Sequence, residues 1–317
     1  MFDSSTFIKD SITQLKDKIK GKAVMGVSGG VDSTTAAMIV NKSIGDNLYC
    51  ILVDTGYLRK DEVENNIAMF KKIGLNVVAV DARERFYKKL QNVIEPEEKR
   101  KIIGELFIRV FEEIAVEKKA KYFVQGTIAP DWIESGGGLR DTIKSHHNVG
   151  GLPKDINFEI VEPLRDIYKD EVREVGKKLG LPKEIHQKQP FPGPGLAVRI
   201  VGEATRERAE IVREACYIVE TEIDQAVKVG KIEKPWQYFA VLLPVKAVGV
   251  HGDVRAYKNI IVVRSVSSID GMSAAYSKLP DHLLESISVH ITNKLKDHIA
   301  RVVYDVTNKP PGTIEYE

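Results

Sequence analysis

Residues 28–33, Ser-Gly-Gly-Val-Asp-Ser, place glycines, hydroxyls and a carboxylate within six positions. They follow the apolar run Ala23–Val27, a predicted strand, and precede Thr34–Asn41, a predicted helix. Glycines let the backbone approach an anion closely, and amides at a helix N-terminus attract negative charge. The sequence therefore predicts a phosphate-binding turn. Its predicted nucleotide contacts are Ser28, Gly29, Gly30, Val31, Asp32, Ser33 and Thr34.

The turn differs from two other phosphate-binding loops. It lacks the Gly-x-x-x-x-Gly-Lys-[Ser/Thr] pattern, whose lysine reaches the β- and γ-phosphates, and it lacks Gly-x-Gly-x-x-Gly. A glycine-rich turn can also exist without any ligand. Asp32 argues against that alternative, because a carboxylate beside phosphates is repulsive unless a cation separates them. We therefore predict ATP with Mg2+ as the ligand and Asp32 as a metal contact.

Apolar runs alternate with helical patterns beyond the turn. The predicted strands are Leu48–Val53, Asn76–Val80 and Tyr122–Val124. The predicted helices between them are Asp61–Ile73 and Pro96–Lys119. This alternation predicts an α/β fold, a parallel sheet with helices on both faces. Ligands of such sheets lie at the carboxyl ends of the strands. Val53, Asp54, Gln125 and Gly126 are therefore predicted ATP contacts, although Asp54 could equally cap the following turn.

The length of 317 residues predicts two domains. Gln189–Gly195 contains three prolines and cannot be helical, so we place the boundary there and predict domains 1–187 and 188–317. The second domain is predicted to contain helices Glu203–Val229 and Asp281–His298 and strands Tyr238–Leu243, Ile260–Val266 and Arg301–Val306. This order suggests a small α+β domain with a mainly antiparallel sheet, whose open edges favour a homodimer.

Composition excludes several classes of protein. Lysine and arginine number 47 against 45 acidic residues, a net charge of +2 that gives no general attraction to nucleic acid or membrane. The two cysteines, Cys50 and Cys216, have no metal-binding spacing, and both are predicted to be core residues. No apolar run approaches the roughly 18 residues of a membrane span. We expect a cytoplasmic protein.

Residues 28–33 resemble the signature of the N-type ATP pyrophosphatases, which cleave ATP to AMP and pyrophosphate. Other stretches resemble one member of that family, the GMP synthetases. They are residues 99–104, 125–127, 144–153, 190–196 and 309–315. GMP synthetases often begin with a glutaminase domain, for which the residues before 28 leave no room. The resemblance thus implies the separate ATP-pyrophosphatase subunit of a two-chain enzyme, with a glutaminase partner that supplies ammonia.

The resemblance also implies a reaction and its site residues. Xanthosine 5′-monophosphate (XMP) would be adenylated by ATP, and ammonia would then displace AMP to give GMP. The implied catalytic residues are Asp32, Lys101 and Lys144, and the implied XMP contacts are Arg100, Gln237, Asp253, Lys309 and Glu315. The stretch that contains Arg100 and Lys101 is implied to be a mobile lid. A charge run of this kind is otherwise typical of a solvated helix face.

Several residues keep alternative interpretations. Asp131 and Glu134 could hold metal or cap a helix, and His146 and His147 fit site walls better than a zinc site. Lys188, Gln189 and Val254 depart from the pattern of GMP synthetases. Another amide- or thio-transferring pyrophosphatase is one alternative function. A non-catalytic nucleotide-binding module is the other, although the second domain lacks the aromatic pair and basic stripe that RNA binding favours.

Overall fold

The computed structural model describes residues 2–129, 158–186, 188–251 and 254–317. The chain forms two compact units. The first holds Met1–Asp54, Val63–Asp81 and Leu106–Lys188, and the second holds Thr55–Glu62, Ala82–Glu105 and Gln189–Glu317. The sequence placed a single boundary between residues 187 and 188, whereas two earlier segments pack with the second unit.

The first unit contains a five-stranded sheet with the order β3-β2-β1-β4-β5, in which each neighbouring pair is parallel. Its strands are β1 (Ala23–Gly26), β2 (Leu48–Asp54), β3 (Val77–Asp81), β4 (Tyr122–Val124) and β5 (Glu159–Val161). The predicted α/β class is confirmed. The central strand β1 is buried from Ala23 to Met25, as expected for a strand that is covered on both faces. Met25 lies opposite Cys50 of β2 and Val124 of β4, and these side chains are core residues.

Nine α-helices connect or cover the strands within the described residues. They are α1 (Ser4–Lys18), α2 (Val31–Ile44), α3 (Glu62–Lys72), α4 (Arg83–Lys89), α5 (Pro96–Lys118), α6 (Lys169–Leu179), α7 (Lys183–His186), α8 (Arg206–Lys228) and α9 (Asp281–Lys294). The side chain of Asp3 caps α1 by accepting a bond of 3.0 Å from the amide of Ser5. Helices α1, α2 and α6 pack against one another. No helix of the described residues is long and apolar enough to cross a membrane.

The second unit contains a four-stranded sheet. Its strands are β6 (Gln237–His251), β7 (Val254–Ser267), β8 (Ala275–Tyr276) and β9 (Ile299–Tyr304). β6 and β8 pair with β7 in antiparallel fashion, as predicted, while β9 pairs with β7 in parallel. Helix α8 buries an apolar stripe, including Val212, Cys216 and Val219, and packs against β6.

Specific polar contacts explain why residues 55–62 and 82–105 belong to the second unit. The hydroxyl of Tyr57 donates to the carbonyl of Ala204. Arg213 of α8 donates from Nε to the carbonyl of Leu58 over 3.0 Å. Lys99 of α5 donates from Nζ to the carbonyl of Ile200 over 2.8 Å. None of these long-range pairs has a local sequence signal, so the sequence predicted an uninterrupted first domain.

Buried cations anchor the last residues of the chain in the second unit. Arg264, fully buried, donates to the carbonyls of Thr307 and Thr313 over 2.5 and 2.9 Å. The carboxylate of Glu317 forms an ion pair with the buried ammonium of Lys99 and accepts a bond of 2.9 Å from the amide of Gly202. Burial lowers the pKa of Lys99, and Glu317 opposes that effect. The Glu317 carboxylate therefore compensates the charge of the desolvated Lys99 ammonium.

Substituting Glu317→Ala is expected to lower the free energy of unfolding by about 3 kcal/mol, because it leaves the Lys99 ammonium buried without a counter-ion. Urea denaturation measures the loss. Glu117→Ala is the matched control, because Glu117 also pairs with a neighbouring lysine but its side chain is 61% exposed. The control should change stability by less than about 0.5 kcal/mol. Equal losses in the two variants would contradict this account of the tail.

Candidate active site

The phosphate loop connects the central strand β1 to helix α2. Gly30 is the N-cap of α2, with φ −80° and ψ 162°, and no side chain caps the helix there. The amide of Thr34 is the first to bond within the helix, to the carbonyl of Gly30 over 3.1 Å. The amides of residues 31–33 therefore have no intrahelical acceptor. The predicted order of strand, turn and helix is present, and the positive end of the α2 dipole and these free amides suit an anion. The nucleotide contacts of the turn stay a prediction.

Hydroxyl groups hold the loop in shape. The Oγ atoms of Ser28 and Ser33 lie 3.3 Å apart, and the amide of Ser28 donates to Ser33 Oγ over 3.4 Å. Both serine hydroxyls therefore lie beside the helix N-terminus. Thr34 differs, because its buried hydroxyl donates to the carbonyl of Gly30 over 2.7 Å. In this structure Thr34 fixes the turn, and its nucleotide contact stays a prediction.

Two glycines allow the close packing of the loop. Gly29 has φ +75°, and a Cβ there would overlap the side-chain amide of Asn66, which donates to the carbonyl of Ser28 over 3.4 Å. A Cβ on Gly126 would lie 3.2 Å from the Cα of Ser33. The end of β4 therefore lies directly against the start of α2. Gly29 is favoured by its positive φ and by the nearby Asn66 side chain, and a methyl group at Gly126 would make a tight contact with the start of α2.

We expect Gly29→Ala to raise the KM for ATP at least about tenfold, because the new methyl group displaces a loop that must approach phosphates closely. Steady-state kinetics of pyrophosphate release measures this effect. Gly74→Ala is the matched control. Gly74 has φ +76°, so alanine is strained there as at Gly29, but a Cβ on Gly74 would meet no neighbouring atom. The control should lose stability without a change in KM. A raised KM in both variants would show that strain alone is responsible.

Asp32 is paired with a lysine that the sequence did not identify. The Nζ of Lys169, the first residue of α6, lies 2.6 Å from Asp32 Oδ2. The other oxygen, Oδ1, is buried and has no hydrogen-bond partner among the described residues. An unsatisfied carboxylate oxygen next to an anion-binding turn suits a hard divalent cation such as Mg2+. Within the described residues, no group of three or more His, Cys, Asp and Glu residues could hold a metal ion by itself.

The other predicted ATP contacts lie at the carboxyl ends of neighbouring strands. Asp54 ends β2 opposite Asp81, while Val53 is 4% exposed and belongs to the core. Gln125 follows β4, where its amide donates to the carbonyl of Val161 over 2.9 Å. The strand order places β1 between β2 and β4, so these positions share one edge of the sheet with the phosphate loop.

Four of the predicted XMP contacts, Arg100, Gln237, Lys309 and Glu315, hydrogen-bond to other residues of the second unit. Glu315 accepts two bonds from Arg199, of 3.0 and 2.8 Å, and one of 2.7 Å from Gln237. Lys309 Nζ donates to the carbonyl of Gly271 over 2.9 Å, and Arg100 donates to the carbonyl of Glu317. The structure thus brings Gln237 and Glu315 together by a direct hydrogen bond, and Glu315 also pairs with the buried Arg199, which the sequence did not identify.

Lys101 is exposed on α5, and the charge run around it is helical. The remaining predictions fall outside the described residues. They concern Asp131, Glu134, Lys144, His146, His147 and Asp253. Of the departures from the family pattern, Gln189 donates to Glu220 over 2.9 Å and accepts a bond of 2.8 Å from the amide of Tyr238.

Neither cysteine is placed as a nucleophile. Both are buried, and burial raises the pKa of Cys50 to about 12 and also raises that of Cys216. The reactive thiolate is therefore not accessible at neutral pH. This agrees with the prediction that both are core residues.

Two families match separate parts of the chain. The family described as "GMP synthase C terminal domain" matches residues 224–316, and the family "NAD synthase" matches residues 3–129. Among solved structures, NMN synthetase from Francisella tularensis is similar over 74% of this chain and 89% of that one. It has a TM-score of 0.48 and 17% identity.

Curated relatives match the whole chain, and some of them are single subunits of a glutamine-hydrolyzing GMP synthase. The subunit from Thermococcus kodakarensis is 54% identical over 98% of this chain and 99% of that protein. Its counterpart from Methanopyrus kandleri is 54% identical over 100% of both. The glutamine-hydrolyzing GMP synthase of Caldicellulosiruptor saccharolyticus is 54% identical over 99% of this chain but 61% of that protein. The chain therefore belongs to the GMP synthase family and corresponds in extent to those of its members that are separate subunits.

Proposed function

We propose that the chain is the ATP pyrophosphatase subunit of a GMP synthase, a carbon–nitrogen ligase that converts XMP to GMP. The whole-length identity of 54% to the GMP synthase subunits of Thermococcus kodakarensis and Methanopyrus kandleri carries this proposal. The phosphate loop supports it independently, because amides at the start of α2 and two adjacent serine hydroxyls suit the pyrophosphate that ATP loses.

The reaction takes two balanced steps. In the first, O2 of XMP attacks the α-phosphorus of ATP, a ring N–H of the purine gives its proton to solvent, the bond to the bridging oxygen of the β-phosphate breaks, and pyrophosphate leaves. In the second, ammonia adds to C2 of the adenylated purine and loses one proton to solvent, the C2–O2 bond breaks, and AMP departs with that oxygen, giving GMP. Adenylation is needed because the carbonyl oxygen of an electron-rich purine is a poor leaving group.

The chain's own residues meet the main electrostatic demand of the first step. Negative charge grows on the departing pyrophosphate, and pre-oriented donors stabilise such charge without reorganisation. The loop amides and the hydroxyls of Ser28 and Ser33 would supply these donors. Asp32 would hold Mg2+, which would neutralise phosphate charge when bound. We extend the nucleotide site to Val53, Asp54, Gln125 and Gly126 by their positions at the same sheet edge.

Binding of XMP is assigned to the second unit. We propose that Lys309 contacts the 5′-phosphate and that Glu315 and Gln237 orient the purine, together with Arg100 and Asp253. Lys101 and Lys144 would stabilise the phosphates during transfer. The support is chemical type and family resemblance, together with the hydrogen bond of 2.7 Å between Gln237 and Glu315.

Two protein partners complete the proposal. A separate glutaminase would supply ammonia, since the chain's two cysteines are buried and cannot act as its nucleophile. A second copy of the chain would pair through residues 188–317. The ribbon of β6 and β7 supports this pairing, because Val248, Val250, Val254 and Tyr257 are between 52% and 72% exposed on it.

The test is a product assay. The purified chain is incubated with ATP, Mg2+, ammonium and XMP, and AMP, pyrophosphate and GMP are measured. Equal amounts of all three are expected, and glutamine should replace ammonium only after the glutaminase is added. AMP without GMP would indicate another acceptor, and neither product would indicate a binding module. Release of ADP would contradict α-phosphate transfer.

A further inference from the structure

We propose that Lys169 is a built-in counter-ion of the phosphate loop. Before the nucleotide binds, its ammonium forms an ion pair with the carboxylate of Asp32. A divalent cation therefore binds tightly at Asp32 only together with the nucleotide. The inference rests on the proposed function, because it concerns the cation that accompanies ATP. Lys169 would thereby determine that the divalent cation enters the site together with ATP and not before it.

The geometry places one cation on this carboxylate already. Lys169 Nζ lies 2.6 Å from Asp32 Oδ2, the distance of a charge-assisted hydrogen bond. The Asp32 side chain is 28% exposed, which limits screening by water, and Oδ1 is buried without a partner among the described residues. A second cation on Oδ1 would stand a few ångströms from the ammonium. Like charges at that separation repel, so the two cations compete for Asp32.

The position of Lys169 in its helix also indicates a specific role. It is the first residue of α6, where the positive end of the helix dipole disfavours a lysine. The neighbouring residues follow the opposite rule, because Asp170 and Glu171 are acidic and Glu171 accepts a bond of 2.8 Å from the amide of Tyr168. Lys169 is therefore the one residue in the first turn of α6 whose charge is unfavourable to the dipole of that helix. Its pairing with Asp32 offsets that unfavourable position.

Nucleotide binding changes the balance of charges around this pair. Without ligand, the carboxylate and the ammonium neutralise each other. Phosphate oxygens at the start of α2 would give the ammonium a second anionic partner, and the side chain of Lys169 is 47% exposed and thus able to turn. The Asp32 carboxylate then becomes available to the cation that ATP carries. The exchange prevents a lone cation from occupying the loop before the nucleotide.

The test measures binding of Mn2+, a spectroscopic probe for the cation, to the nucleotide-free chain by electron paramagnetic resonance. Lys169→Met should bind Mn2+ about fivefold more tightly than the unmodified chain, a factor typical of removing one partly exposed ion pair. Lys169→Arg keeps the charge and should resemble the unmodified chain. Lys177→Met removes an exposed lysine from the other end of α6 and should change nothing.

Two results would overturn the inference. The first is Mn2+ affinity in Lys169→Met equal to that of the unmodified chain. The second is tighter binding that persists in the double variant Lys169→Met/Asp32→Asn, which would locate the cation elsewhere. Thermal melts verify that each variant is folded. Failure of the proposed function is a separate outcome, seen as absence of AMP and pyrophosphate from the unmodified chain, and it leaves the Mn2+ comparison interpretable.

Discussion

Substitution of Asp32 by asparagine should reduce pyrophosphate release at least about a hundredfold, the scale on which loss of a transition-state charge contact acts. Asparagine keeps the shape of the side chain but removes its charge. It would therefore abolish both the ion pair with Lys169 and the cation contact proposed for the unpartnered oxygen. Initial rates of pyrophosphate formation with saturating XMP and ammonium measure the effect.

Asp170→Asn is the matched control for this prediction. Asp170 also belongs to an ion pair near the start of α6, with Arg173 at 3.1 Å, but its side chain is 95% exposed. Its replacement should leave the rate within about twofold, since exposed pairs contribute little. An Asp32→Asn variant that is folded and fully active would remove the carboxylate from the mechanism. It would leave the loop amides as the main source of catalysis.

The phosphate loop was predictable because its signals are local. The chemistry of Ser28–Ser33 depends on neighbours in the chain, namely a strand before it and a helix after it. Backbone approach and helix dipole follow from that order alone. The parallel sheet was equally predictable from the sequence, because alternating strands and helices have one common arrangement.

Long-range pairs were not predictable in the same way. Lys169 lies 137 residues from Asp32, and it occurs in a helix whose composition alone indicates only a surface element. Helix α1, which is largely polar, and strand β5, which begins at the charged Glu159, were not predicted either. The packing of residues 55–62 and 82–105 with the second unit depends on individual donors such as Arg213 and Lys99. Periodicity carries no information about such contacts.

Arg199 illustrates how one buried residue just after the proline-containing stretch Gln189–Gly195 can determine the stability of a unit. It lies in the short 3-10 helix Gly195–Arg199, its side chain has no exposed surface, and its guanidinium lies 4.0 Å from the ring centroid of Phe239. Two bonds to Glu315 compensate its charge. Because bidentate geometry and stacking both require a planar guanidinium, lysine would not replace it.

Arg199→Met is expected to lower the free energy of unfolding of the second unit by about 3 kcal/mol, since it leaves the Glu315 carboxylate, which is only 16% exposed, without a charged partner. Urea denaturation followed by Trp236 fluorescence, in a Trp132→Phe background, reports on this unit. Arg173→Met removes an exposed arginine and should cost less than about 0.5 kcal/mol.

The double variant Arg199→Met/Glu315→Gln separates stability from recognition. Glutamine carries no charge that needs Arg199 and still accepts the bond from Gln237, so most of the lost stability should return. Its KM for XMP should nevertheless stay at least about tenfold raised if Glu315 orients the purine, since a carboxylate and an amide present different groups to purine N–H donors. Recovery of both stability and KM would show that the carboxylate serves only to neutralise Arg199. Failure to recover stability would instead mean that the stacking of Arg199 on Phe239, and not its charge, holds the 3-10 helix Gly195–Arg199 in place.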